Sequence, residues 1–260
     1  MATVVLLGAV TWNTTAGDKT VTAAPTIGDL IVVIAGSSGL AGGTTAVTDD
    51  QAGANASTYT QIDVDRTGFS TTGVLTAWVR NKLITSNAST VFTAAQGGSS
   101  GGGLGVLRVT GMSIVGLGAI RGCGGQSSGA LGTAPAPVLL GRIGTTFSGT
   151  QAALTANPII SASCDGSTVA SYTVRSSPAY TEDFDNGYNT PATGLCISHI
   201  NSGDTASTIT WGATVATTWA SIAFELDISV PQYSWIGDAA AINRTMNDNQ
   251  QMAVGRSATR

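Results

Sequence analysis

The sequence predicts an all-β protein, an antiparallel sandwich or barrel, and three observations lead there. Its polar residues are mostly Thr, Ser, Asn and Gln beside 34 glycines, with no long Ala/Leu/Glu/Lys tract to favour helix. Apolar, β-branched runs of strand length recur roughly every 8 to 15 residues, separated by Gly/Asn/Asp turns. The stretch Trp219–Ile228 alternates strictly: Ala220, Ile222, Phe224, Leu226 and Ile228 face one way, and Trp219, Ser221, Ala223, Glu225 and Asp227 the other. That is the pattern of a half-exposed antiparallel strand.

At 260 residues, 42% of them hydrophobic, the chain can bury a sizeable core, and one large domain or two small ones is natural. Charged residues make up 10%, against roughly 25% in ordinary soluble domains. A net charge of −4 with scattered arginines offers no basic field for nucleic acid. No apolar run approaches the roughly 18 residues of a membrane-spanning helix, so neither nucleic acid nor membrane is an expected partner. Met1-Ala2-Thr3 leads into Val4-Val5-Leu6-Leu7 without the positive start of a signal peptide. Cys123, Cys164 and Cys196 are far apart and odd in number. They fit neither a disulfide framework nor a Cys-x-x-Cys site, so buried, reduced thiols in a protein folded in a cytoplasm are expected.

The most apolar stretch, Ile27–Gly39, is the one the others are arranged around. A Gly-Asp turn opens it and Leu30–Ala35 is apolar without interruption, which reads as a central strand buried on both faces. Its outer face then needs a cover, either residues 111–155 or a neighbouring subunit. Before it, Val4–Val10 and Thr20–Ala24 read as strands, the second ended by Pro25. After it come Val47–Asp50, Ser57–Val64, Gly73–Arg80 with Trp78 near its centre, and Thr90–Ala94. Residues 97–103, Gly-Gly-Ser-Ser-Gly-Gly-Gly, read as a mobile hairpin loop because Leu104–Val109 resumes at once as a strand. Residues 111–155 hold two or three irregular strands among many glycines. Further strands are expected at Asn157–Cys164, Ala170–Val174, Gly194–Ile200 and Ser207–Trp211. Residues 1–229 thus form the β-domain. After Pro231 the chain becomes an extended arm, residues 230–260, with room for a short helix capped by Asp238. Its apolar residues Tyr233, Trp235, Ile236, Ile242 and Met246 are the candidate partner contacts.

Chemistry has few residues to pass through. The single histidine, His199, lies in the apolar run Leu195–Ile200. Cys196 is three residues away and so on the opposite face of a strand, which reads as a packed histidine rather than a nucleophile's base. Glu182 with Asp183 or Asp185 is the one carboxylate grouping that a glycosidase could use. Asp183-Phe184-Asp185-Asn186-Gly187 begins like a calcium loop, but Thr193 stands where the distal Glu belongs, so a solvated turn is expected. Gly116-Leu117-Gly118-Ala119-Ile120-Arg121 lacks the third glycine of a dinucleotide fingerprint, and no Walker lysine occurs. No catalytic residue, cofactor or metal is therefore assigned. Trp78, Trp211 and Trp219 fall within strands, where packing is the default. Tyr172, Tyr180 and Tyr188 beside the Asp183 stretch read as an exposed cluster, which makes Tyr180, Tyr188, Asp183 and Asp185 the candidate glycan contacts.

Several ordered segments together resemble a known architecture. They are Gly28-Asp29-Leu30 opening a hydrophobic strand, the Thr48-Asp49 turn, Tyr59-Thr60-Gln61-Ile62, Thr76-Ala77-Trp78-Val79-Arg80, Val109-Thr110-Gly111-Met112, Ala179-Tyr180-Thr181-Glu182 and the closing Trp219–Glu225. In these the chain is similar to the jelly-roll-type β-sandwich domains of tailed-phage virion proteins and some bacterial surface proteins. Over residues 3–228 the resemblance implies one antiparallel jelly-roll-like β-sandwich built of two similar halves. It implies a non-enzymatic virion structural protein, a capsid-bound decoration or minor capsid protein. Such a protein self-associates, as a trimer or another homo-oligomer, and docks on a major capsid or other virion protein through loops and its arm. The alternative is a carbohydrate- or receptor-binding module of a tail fibre or cell-surface protein.

Overall fold

The computed structural model describes residues 2–39, 43–62, 67–69, 73–129, 132–166, 172–189, 192–213 and 217–228. The expected arm, with Tyr233, Trp235, Ile236, Ile242 and Met246, lies outside the described residues. The described strands form three sheets. One runs β1 (Thr3–Asn13), β9 (Gly101–Thr110), β3 (Leu30–Ser38), β7 (Gly73–Arg80) and β5 (Tyr59–Gln61), with β6 (Thr67–Phe69) also on β7. A small sheet holds β2 (Lys19–Ala23), β8 (Thr90–Ala95) and β4 (Ala46–Asp49). The third runs β12 (Thr146–Thr150), β11 (Leu140–Ile143), β10 (Ile120–Gly129), β16 (Trp219–Leu226), β13 (Ile159–Asp165), β15 (Ala192–Ile200) and β14 (Thr181–Asn189). Strand pairing within each is antiparallel, so the chain is the expected antiparallel β-sandwich.

The sandwich has three layers, with β3 in the middle one. Side chains alternate along a strand, and on β3 Leu30, Val32 and Ile34 join a core with Ile160, Ala162, Leu195, Ile197, Ile222 and Phe224 of the seven-stranded sheet. Ile31, Val33 and Ala35 join a second core with Val21, Val47, Phe92 and Ala94 of the three-stranded sheet. All nine residues of β3 are buried, as its composition requires. The cover over its outer face is neither residues 111–155 nor another subunit, but β2, β8 and β4. Residues 111–155 instead supply β10, β11 and β12, the three strands at one side of the seven-stranded sheet.

Close approach explains where glycine is needed. A Cβ on Gly36 of β3 would lie 2.5 Å from Trp12 Cζ3 and 2.8 Å from Cys164 Sγ, so the middle and seven-stranded layers touch there through backbone. The glycine run at 97–103 serves the same end in part. Gly101, Gly102 and Gly103 are buried residues of β9, and a Cβ on Gly102 would collide with the Gln96 side chain. The turn before them is not the expected hairpin loop: it carries the chain from β8 in the three-stranded sheet to β9 in the middle sheet.

Other expectations change because loops pack on the outer face of the seven-stranded sheet. Every residue of β16 is buried: its two faces alternate as read, but the half-exposed strand is covered on both. Tyr172–Val174 and Ser207–Trp211 are not strands; they lie in these covering loops, with only the bridge of Val138 to Thr208. Leu139, Ile209 and Tyr180 pack on Ile159 and Ala223, and Tyr172 and Trp211 pack on Cys196 and Trp219. An edge strand exposes unpaired N–H groups. On β1 two of these are taken up across layers, Val4 N by Asn201 Oδ1 at 2.7 Å and Trp12 N by Asn186 Oδ1 at 3.1 Å.

Candidate functional site

Residues 183–187, expected as a solvated turn, are part of edge strand β14. A bulge between Glu182 and Phe184 shifts its register against β15. An extra residue of this kind re-aims the side chains around it, so two carboxylates that i, i+2 spacing would put together are separated. Asp183 turns to His199, whose Nδ1 donates to its Oδ2 at 2.7 Å, both side chains only 6% exposed. Asp185 instead accepts the backbone N–H of Tyr172 at 3.0 Å on Oδ2, while its Oδ1 is buried without a partner. Burial lifts the Asp185 carboxyl to about 6, against the Tyr172 N–H bond, with Glu182 adding to the rise.

The expected glycan contacts are dispersed by this packing. Tyr180 is buried and donates its hydroxyl to Asp204 Oδ2 at 3.0 Å; the same oxygen lies 3.1 Å from Arg175 Nε. Its ring therefore braces two covering loops and presents no face to a sugar, which corrects its reading as exposed. Tyr172 is likewise buried, its ring centroid 5.3 Å from that of Trp211. The side chain of Tyr188 lies outside the described residues. Trp12, Trp78, Trp211 and Trp219 are all buried, as strand placement suggested for the last three.

Cys196 sits behind His199 on the other face of β15, packed with Tyr172, Trp211 and Trp219. Burial pushes its thiol far up, as it does that of Cys164, so neither is a thiolate nucleophile at neutral pH. Glu225, fully buried, meets Arg121 Nη1 at 2.5 Å and accepts from Asn157 Nδ2 at 2.7 Å and Leu154 N at 2.8 Å. Among the described residues no three His, Cys, Asp or Glu side chains are placed to hold a metal ion.

One concavity stands apart from these pairs. A cleft of about 580 Å³ opens at one end of the middle sheet, lined by the Thr26–Asp29 turn, Leu83, Arg108 and the residues that follow β9 up to Met112. Ile27 is 60% exposed beside it. Sequence reading passed over Arg108, though a lone charge inside the apolar run Leu104–Val109 was a signal that the strand end meets something polar. Comparisons with protein-family models, curated proteins and solved structures return no match for this chain.

Proposed function

We propose that the protein is a non-enzymatic structural component of a phage virion, a capsid-bound decoration or minor capsid protein that associates with copies of itself. The observation that carries this reading is where its buried ionisable groups are engaged. Arg80–Asp49 joins two layers, Arg121–Glu225 joins adjacent strands to the 152–157 segment, Arg175–Asp204 joins two covering loops, and His199–Asp183 clamps the edge strand. These four pairs hold their ionisable groups in fixed contacts whose effect is to stiffen the layers, which suits a protein that carries load. The winding agrees in kind with the resemblance: through the first nine strands the chain passes back and forth between the orders β1-β9-β3-β7 and β2-β8-β4, as a jelly roll does.

The test is to purify particles of the encoding phage on a density gradient and quantify their proteins by mass spectrometry. This chain is expected in many copies per particle and, in solution, as a homo-oligomer by light scattering. A particle lacking it would overturn the reading.

A further inference from the structure

We propose that the cleft between the Thr26–Asp29 turn and the end of β9 binds a carboxylate carried on a short aliphatic group. Its volume, about 580 Å³, lies within the ~300–1,000 Å³ of small-ligand sites. Its walls combine Ile27, Leu83 and Met112 with one cation, Arg108, so an occupant must pair carbon surface with an acceptor.

The walls are set before any ligand arrives. Gly28 N donates to Ile84 O and Ile84 N to Asp29 O, both at 2.8 Å, while Asp29 N closes the turn on Thr26 O at 3.0 Å. Ile27 N donates to Asn87 Oδ1 at 2.7 Å, which holds the exposed Ile27 side chain at the rim. A rigid site of this kind loses little ordering entropy on binding.

Arg108 is the group with bonding capacity left over. Arg80, in the same sheet, donates to Asp49, Lys82 O, Leu83 O and Asn55 O, so every nitrogen of its guanidinium has an acceptor. Among the described residues Arg108 has one hydrogen bond, Nη1 to Thr26 Oγ1 at 2.9 Å, and its Nε is buried with no acceptor. A planar guanidinium with unused donors recognises a carboxylate in two-point fashion. Asp29 selects among anions: its Oδ2 lies 3.8 Å from Arg108 Nη1 and is itself bonded to Thr26 N at 2.7 Å. With one negative charge already beside the cation, a phosphate dianion is disfavoured more strongly than a carboxylate monoanion. Ile27, Leu83 and Met112 then require that the carboxylate be attached to aliphatic carbon rather than come as a bare ion. A free aliphatic acid and a polypeptide ending in an aliphatic residue share this chemistry.

The four methionines include one, Met112, that lines the cleft, so the full-length protein labelled at methionine methyl groups reports on the site directly. Titration with hexanoate is expected to move the Met112 resonance saturably, and hexanamide is expected not to. Arg108→Gln should weaken hexanoate at least about tenfold. Ile27→Asp, at a position 60% exposed, should weaken it similarly by placing a like charge at the rim. N-acetyl-Ala-Leu separates the sources: tighter binding than hexanoate assigns the site to a polypeptide end, weaker binding to a free acid. No saturable shift with either acid, equal binding of hexanamide, or hexanoate affinity unchanged in both variants would overturn the proposal.

Discussion

Arg80 and Asp49 meet at 2.7 Å with neither side chain exposed, and this contact ties the middle sheet to its three-stranded cover. Asp49 ends β4 and Arg80 ends β7, so the pair fixes the two layers at one corner. Tyr59 donates to the same Asp49 oxygen at 2.8 Å. Removing two charges from water costs several kcal/mol each; the fold offsets this by giving every guanidinium nitrogen of Arg80 an acceptor.

Cutting that corner gives the first prediction. Arg80→Met leaves Asp49 buried without its cation and is expected to lower the unfolding free energy by about 3–5 kcal/mol. Tyr59→Phe removes one hydrogen bond from a carboxylate that keeps its arginine, for a loss of about 1–2 kcal/mol. Urea unfolding of both variants checks the order. Equal losses would mean that the guanidinium does not hold the layers.

Packing between the middle and seven-stranded sheets is tested at Gly36. The added methyl of Gly36→Ala must displace the Trp12 indole and Cys164, and overpacking of this kind costs about 1–3 kcal/mol. Gly97 has nothing within 4 Å of an added Cβ, so Gly97→Ala should be neutral or stabilise by up to about 1 kcal/mol through the unfolded chain. Calorimetric melting of the two variants separates steric from entropic effects. A stable Gly36→Ala protein would show that the layers are further apart than described.

Asp185 makes stability depend on pH. Burial raises its folded-state carboxyl from 3.8 to about 6, while in the unfolded chain it titrates near its ordinary value. Between about pH 4 and 6 the folded protein holds a proton that the unfolded chain has released. The contribution is therefore complete below about pH 4 and is lost as pH rises through 6. Asp185→Asn, which can still accept from Tyr172 N, should raise the denaturation midpoint near pH 7.5 and leave it little changed near pH 4. A variant less stable than the parent at the higher pH would reverse the assignment.

The thiols provide a solvent-access test. Cys123, Cys164 and Cys196 are buried thiols, and burial holds those of Cys164 and Cys196 protonated. A thiol reagent should therefore titrate none of them in the native protein and all three after denaturation. Rapid reaction of one thiol under native conditions would locate an opening in the packing.

Much of the strand plan was legible because strand residues carry a period of two and their turns carry Gly, Asn and Asp. Gly73–Arg80 falls where it was read, and β3, β8, β13 and β15 lie within a few residues of their expected bounds. β14 was missed because its residues, Thr-Glu-Asp-Phe-Asp-Asn-Gly-Tyr-Asn, are those of a loop by propensity; pairing with β15 and the His199–Asp183 contact override it. The segments at 172–174 and 207–211 failed the other way, their apolar residues being needed to cover a sheet rather than to extend one.

The candidate site was less legible than the fold. Tyr180 was read as exposed because tyrosine beside acidic residues usually is, and only Asp204, 24 residues on, gives its hydroxyl a buried partner. Arg108 stood out as a lone charge in an apolar run, but nothing local named its partners, since Thr26 lies 82 residues away in the chain.

By itself the sequence determined the class, the central strand and which side chains share a face, because alternation and turn chemistry act over a few residues. It also determined that Leu30–Ala35 had to be covered on both sides, since a run of six apolar residues cannot leave a face in water without cost. Tertiary structure alone decided what does the covering: β2, β8 and β4 on one side and the seven-stranded sheet on the other. That choice depends on contacts between residues far apart in the chain, the same kind of contact that gives every guanidinium nitrogen of Arg80 an acceptor and leaves Arg108 with donors to spare.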